Sequence, residues 1–149
     1  MKRGILLGFY LFVFALCTQG QALSFEAVFG EEPLVLGTNY TTKSGIVVKI
    51  ETLRFYVSQL QLKHNGKPVW VEENSYHLVD ISDSRSLQAS IPESIVFDEV
   101  SFLLGTDSLT NVSGAMGDDL DPTKGMYWAW NSGYINFKLE GTSPDCATR

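Results

Sequence analysis

Residues 53–71 read LRFYVSQLQLKHNGKPVWV, and this stretch decides the fold. Leu53, Phe55 and Val57 alternate with Arg54, Tyr56 and Ser58, the period of a strand with one buried face. From Leu60 onward the apolar residues fall on even positions, Leu60 and Leu62, so the phase has slipped by one residue. The slip predicts a β-bulge near Ser58-Gln59, where one strand carries an extra residue. Asn65-Gly66 lies between Leu60–His64 and Lys67–Val71. That dipeptide tolerates the positive φ angles of a two-residue hairpin turn, so a hairpin is expected here.

Similar patterns recur outward from this stretch. Phe25, Ala27 and Phe29 alternate with Ser24, Glu26 and Val28. Leu34–Leu36 follows Pro33, and the β-branched run Ile46–Ile50 follows Ser44-Gly45. Tyr76–Ile81, Ile95–Leu104 and Tyr134–Leu139 complete the set. About eight short strands with frequent turn signals imply an all-β fold, an antiparallel β-sandwich of Ig-like or jelly-roll-like form with Greek-key connections. No segment supplies the crossover helices that a parallel sheet needs. Asp107–Lys124 is the one long irregular connection, and loops of that length often carry function.

The chain has 149 residues, 44% apolar and 19% charged, which suits one domain. Residues 1–22 read as a secretory signal: Lys2 and Arg3, then the apolar run Ile5–Leu16, then small residues at Gly20 and Ala22. The run is shorter than the ~20 residues of a membrane-spanning helix. A lipoprotein anchor at Cys17 is disfavoured by Leu16, because that processing wants a small residue there. The expected domain is therefore residues 23–149, in the periplasm or outside the cell. It keeps nine basic and seventeen acidic residues, a formal charge of −8. An anionic surface argues against nucleic acid and acidic lipid as partners. Cys146 is then the only cysteine, so stability must come from the core, and its own role is that of a chain-end thiol.

The residues for catalysis are missing. A Ser-His-Asp system needs a histidine held by a third group, and only His64 and His77 exist, with no nucleophile elbow at any serine. The expectation is a non-enzymatic protein. Zinc needs three or four closely spaced Cys or His ligands, which the chain lacks. Copper accepts imidazole, thioether and thiolate. The donors available are His64, His77, Met116, Met126 and Cys146, without a spaced cluster. Asp118-Asp119-Leu120-Asp121 lacks a calcium-loop pattern and reads as an Asx-rich turn ahead of Pro122.

Residues 125–141, GMYWAWNSGYINFKLEG, concentrate the aromatic surface. In a strand Trp128 and Trp130 share one face, while Tyr127, Ala129 and Asn131 share the other. The pattern favours core packing anchors, with an exposed aromatic platform as the alternative. Gly133 marks a bulge or a close backbone approach.

The run LDPTKGMYWAWNSGY at residues 120–134, continuing INFKLEG, resembles the signature of the MbnP-like family. These are exported proteins named after a periplasmic protein associated with methanobactin, a copper chelator. FEAVFGEEPLVL (residues 25–36), RFYVSQL (54–60) and FLLGTDSLTNVSG (102–114) resemble further family segments. The motif positions are Asp121, Pro122, Gly125, Tyr127, Gly133 and Tyr134. The resemblance implies an all-β exported protein with copper binding. In some relatives the ligands are histidines and a tryptophan oxidised to kynurenine by a di-haem peroxidase-like partner. The candidate ligands carried over are Trp128 and Trp130, with His77 and His64 as the histidines at hand. The chain departs from the family in three ways. Ser58 stands where a strand histidine is expected, Ala27 stands at another histidine position, and relatives continue past LEGTSP with further strands. The resemblance thus implies a C-terminal edge that is incomplete.

Overall fold

One strand organises the molecule. The computed structural model describes residues 21–128, 130, 133–144 and 146. Strands β1 (Gln21–Ser24), β2 (Val28–Phe29), β3 (Glu32–Pro33) and β4 (Asn39–Thr41) precede β5, Val47–His64, which is 18 residues long. After it come β6 (Lys67–Val71), β7 (Tyr76–Asp80), β8 (Gln88–Ile91) and β9 (Glu99–Leu104). A five-residue helix α1 (Ser108–Val112) leads to β10 (Tyr127–Trp128), β11 (Gly133–Tyr134) and β12 (Phe137–Thr142). The leader read in residues 1–22 lies outside the described residues except for Gln21 and Ala22, which begin β1. Among the described residues no helix is long and apolar enough to cross a membrane.

Strand β5 pairs antiparallel with five others in a six-stranded sheet. Strands β4, β7 and β6 follow one another along it, pairing near residues 47–49, 54–58 and 61–64. Strands β9 and β12 also lie end to end, on residues 57–63 and 49–55. They meet at Tyr56, whose N–H donates to Asn136 and whose carbonyl accepts from Gly105. The small β1–β8 pair covers the sheet at the β6 end. The expected all-β antiparallel sandwich is what forms, with a large layer and a small one.

The bulge is where the phase slip put it. Against β9, Ser58 pairs with Leu103 and Gln61 with Ser101, so β5 spends one residue more than its partner. Gln59 absorbs the excess at φ +54, pointing outward. The insertion keeps odd-numbered residues before it and even-numbered residues after it on one face. Phe25 demonstrates this: it meets Phe55 edge to face at 6.4 Å and packs with the fully buried Leu60 and Leu62. Ala89, Ile91 and Trp70 complete that core. The opposite face carries Tyr56 against Leu78, Leu120, Met126 and Tyr134. Asn65 and Gly66 both take positive φ, +51 and +73, closing the β5–β6 hairpin as expected.

Several expected elements change. The alternating stretch 24–29 is strand only at Ser24, which ends β1, and at Val28–Phe29, and the run Leu34–Leu36 is not a strand: its pairing segment is Glu32–Pro33, closed against β2, after which the chain turns. Ile95–Leu104 is a strand only from Glu99, because Ile95 and Phe97 turn into the Leu60 core instead of extending the ladder. Tyr134–Leu139 breaks at Ile135-Asn136, because Asn136 Oδ1 accepts from the Thr106 amide and hydroxyl at 3.0 and 3.1 Å. The connection 107–124 contains α1 and two single turns of 3-10 helix, each opened or held by an aspartate.

Candidate functional site

The signature segment is fastened to β5 and β7 before it reaches the tryptophans. Asp119 accepts the Leu78 amide through Oδ2 at 3.0 Å and the Lys124 ammonium through Oδ1 at 2.6 Å. Asp121 accepts the Thr123 amide at 2.8 Å, and that hydrogen bond holds its carboxyl below the usual carboxylate range. Asp121 therefore makes the Asx turn expected ahead of Pro122, while Asp119 ties the run to β7 and to Lys124. Arg54 donates from Nη1 to the Lys124 carbonyl at 3.0 Å, while its Nε faces Asp80 Oδ2 at 2.8 Å.

Beneath the segment, Met126 is fully buried. Its sulfur is core, not an available donor. The Tyr134 hydroxyl donates to the Leu120 carbonyl at 3.0 Å and accepts the Met116 amide at 2.9 Å. The Tyr56 hydroxyl donates to the Asp119 carbonyl at 3.1 Å. Burial pushes both phenols above their ordinary range, so they stay protonated donors.

Strands β10 and β11 form a minimal ladder, Tyr127 against Tyr134 and Trp128 against Gly133. Tyr127 takes the inward position, its ring 5.0 Å from that of Tyr134. Trp128 is 43% exposed and Trp130 79% exposed, with ring centres 5.0 Å apart at 71°. The expectation of core anchors is thus corrected. A two-residue strand has one covered face, and Met126, Tyr127 and Tyr134 already fill the space beneath it. Ala129, Asn131 and Ser132 lie outside the described residues.

Gly133 explains how α1 sits over this ladder. Its φ is +83, and a Cβ there would fall 2.6 Å from the Asn111 carbonyl oxygen. The Asn111 side chain accepts the Tyr134 amide at 2.8 Å. The close approach read from sequence is real, and the neighbour is α1. Leu109 and Val112 of that helix are also exposed.

Asp107 caps α1. It accepts the Thr110 amide at 2.9 Å and the Tyr76 hydroxyl at 3.0 Å. The Thr110 amide, more than any other group, holds its carboxyl below the usual range. A depressed carboxylate contributes stability above its unfolded value, near 4, that is lost as pH falls through the folded value. Denaturant midpoints should therefore drop between pH 5 and about 3. Asp107→Ala should lower the midpoint at pH 7 by the equivalent of about 1 kcal/mol and flatten part of that acid loss.

The histidines are apart. His77 Nε2 lies 2.7 Å from Glu72 Oε2, which also accepts the Ser75 hydroxyl at 2.6 Å. His77 lines an open polar cleft of about 530 Å³ with Arg54, Asp80, Asp119 and Lys124; neither tryptophan borders it. His64 is half-exposed at the hairpin end, with Nδ1 3.2 Å from Asp98 Oδ2. His77 pairs opposite Val57, so the two histidines sit roughly 20 Å apart along β5. Cys146 is exposed and free. Among the described residues no three His, Cys, Asp or Glu converge as a cation site. The unmodified donors therefore do not fit a mononuclear copper site, which needs convergent imidazole or sulfur ligands.

Sequence reasoning missed the Arg54–Asp80 and Lys124–Asp119 pairs that wall the cleft. Arg54 meets residue 124 only through the tertiary fold, so no local pattern announces it. The Glu72–His77 contact spans a short turn but follows no motif.

The MbnP family model matches residues 18–148. Comparison with curated proteins and with solved structures finds no match.

Proposed function

The chain belongs to the MbnP family, and on that premise we propose an exported, non-enzymatic, copper-related protein whose working surface is the Trp128–Trp130 pair. The observation that carries this reading is the exposure of both indoles, Trp128 on the two-strand ladder and Trp130 just beyond it, with their rings in contact. An exposed indole is open to an oxidising partner, and the paired Trp128 and Trp130 rings offer apolar surface on which one could rest. In this reading a di-haem peroxidase-like partner uses two equivalents of hydrogen peroxide to cleave the C2–C3 bond of one indole, giving N-formylkynurenine and two waters, and hydrolysis then releases C2 as formate to leave kynurenine. The product carries an aromatic amine and a ketone, donors that indole lacks. Kynurenine would bring these donors to the tryptophan surface, and because neither tryptophan borders the His77 cleft the remaining ligands would come from a second chain.

The test is a titration with Cu(I) and Cu(II) of protein made with and without a co-produced di-haem peroxidase, with intact mass measured on both. Unmodified protein is expected to bind no tighter than about millimolar. Oxidised protein, its mass changed by the exchange of a carbon for an oxygen, should bind at least ~100-fold tighter. Trp128→Phe or Trp130→Phe should remove both the mass change and the gain. Oxidised protein that binds no tighter than millimolar would remove copper from the account. The exposed patch would then support a plain protein-interaction module.

A further inference from the structure

The β5 bulge and the turn between β6 and β7 meet across a second cleft, of about 310 Å³, which neither tryptophan borders. Gln59, Gln61 and Asn74 line it. Gln59 is the bulge residue, at φ +54, and Asn74 in the turn takes φ +50. Left-handed backbone strains a residue that carries a Cβ, glutamine more than asparagine. Such strain collects at ligand sites, and a bulge re-aims the side chain it carries. Here both left-handed residues line the same cleft.

The three amide groups are uncommitted: among the described residues none of these side chains makes a hydrogen bond. The groups around them are fixed. The buried Ser75 accepts the Leu60 amide at 2.9 Å and donates to Glu72 Oε2 at 2.6 Å. His77 Nε2 lies 2.7 Å from that same oxygen, so Glu72 Oε1 is left to the cleft. The Tyr76 hydroxyl is held by Asp107 at 3.0 Å, and Val71 adds an exposed apolar side chain to the lining.

That inventory selects a ligand. Each amide presents an acceptor oxygen and an NH2 donor in one plane. Two adjacent hydroxyls match it, because each hydroxyl both donates and accepts. Anions are disfavoured by Glu72, by Asp107 and by the acidic chain as a whole. A hard cation wants about six to eight oxygens with several carboxylates among them. Only two carboxylates line this cleft, both already hydrogen-bonded, and among the described residues no three converge. An uncharged ring with neighbouring hydroxyls satisfies every group. The volume is near the lower end of small-molecule sites, about 300–1,000 Å³, which suits a single sugar ring. We propose that this cleft binds a hexose: the amides of Gln59, Gln61 and Asn74 and Glu72 Oε1 hold its hydroxyls, and Val71 and Tyr76 lie beside its C–H surface. The site is independent of the tryptophan surface.

Two-dimensional NMR of isotope-labelled protein, reading side-chain amide signals, tests this in titrations with glucose, galactose and mannose. At least one of the three should shift the Gln59, Gln61 and Asn74 signals saturably. The Kd should be about 1–10 mM, the range for a small hydrophilic ligand in an open cleft. Gln59→Gly and Asn74→Gly each remove one amide from a position whose positive φ suits glycine, so the fold is kept. Each should weaken that sugar about fivefold or more. Glycerol has neighbouring hydroxyls without a ring and should bind about tenfold more weakly than that sugar. No saturable shift at these amides up to about 100 mM of any of the three sugars would overturn the proposal. Variants that bind like wild type, or glycerol that binds as well as the sugar, would do the same. So would sugar-induced shifts at the Trp128 and Trp130 indoles in place of the amides, or saturation by calcium chloride and not by the sugars.

Discussion

Protein lacking Gln59 is expected not to fold. The deletion removes the bulge and shortens β5 by one residue, so everything after it turns over. Leu60 and Leu62, fully buried against Ala89 and Ile91, would face the wrong way. Each leucine's burial contributes about 1.5–3 kcal/mol. Lys63 and Gln61 would be driven toward the apolar layer in their place, and an uncompensated buried ammonium costs several kcal/mol more. The pairings of β6 and half of β9 also depend on this register. Against a total stability of about 5–15 kcal/mol, that loss is decisive. Far-UV circular dichroism and a denaturant series should show a chain without a cooperative transition. Gln59→Gly is the control. It keeps the residue count and suits φ +54, so it should stay within about 1 kcal/mol of wild type. A folded deletion variant would show that the phase of β5 does not govern the core.

Gly133→Ala is expected to cost about 3 kcal/mol. An alanine at φ +83 carries about 1–2 kcal/mol of left-handed strain. Its Cβ also meets the Asn111 carbonyl at 2.6 Å, and overpacking of that kind adds about 1–3 kcal/mol. The damage should be local first. Helix α1 must lift, and the Asn111 side chain loses the Tyr134 amide. Chemical denaturation gives the size of the effect, and hydrogen exchange should show lost protection at α1 and Tyr134 before the β5 ladder. Gly117→Ala makes the matched comparison. That glycine has ordinary φ and open space around it, so alanine there should change stability by no more than about 0.5 kcal/mol. Equal costs at the two positions would refute the close-approach explanation.

The fold was legible wherever short-range chemistry fixed it. The phase slip between Val57 and Leu60 located the bulge, and Asn65-Gly66 located the hairpin. The alternation of Phe25, Ala27 and Phe29 matched their half-buried environment. What local pattern could not supply was which strand lies beside which. Nothing in residues 47–64 says that five partners converge on them, and nothing in Asn136 says that its amide would be spent on Thr106 and break a strand. The tryptophans show the same limit. Period-2 reasoning correctly separated Tyr127 from Trp128, yet could not say which face was covered. That depended on Met126 and Tyr134 filling the interior first. The two histidines were visible as residues but not as neighbours of Glu72 and Asp98, since those contacts arise from turns and strand register.

The dominance of β5 has a consequence for how the chain acquires its structure. Its partners hydrogen-bond to it and scarcely to one another, so any smaller sheet that forms first must be built on β5 itself. When the chain emerges from its N-terminus, β5 appears about seventy residues before β12 can close its exposed side. Through that interval the longest apolar strand in the molecule is half-dressed. Non-local closure of this kind is slow, on the order of milliseconds to seconds. The molecule's period of greatest vulnerability is therefore its synthesis, and a holding factor for extended apolar chain would matter more to its yield than any gain in final stability.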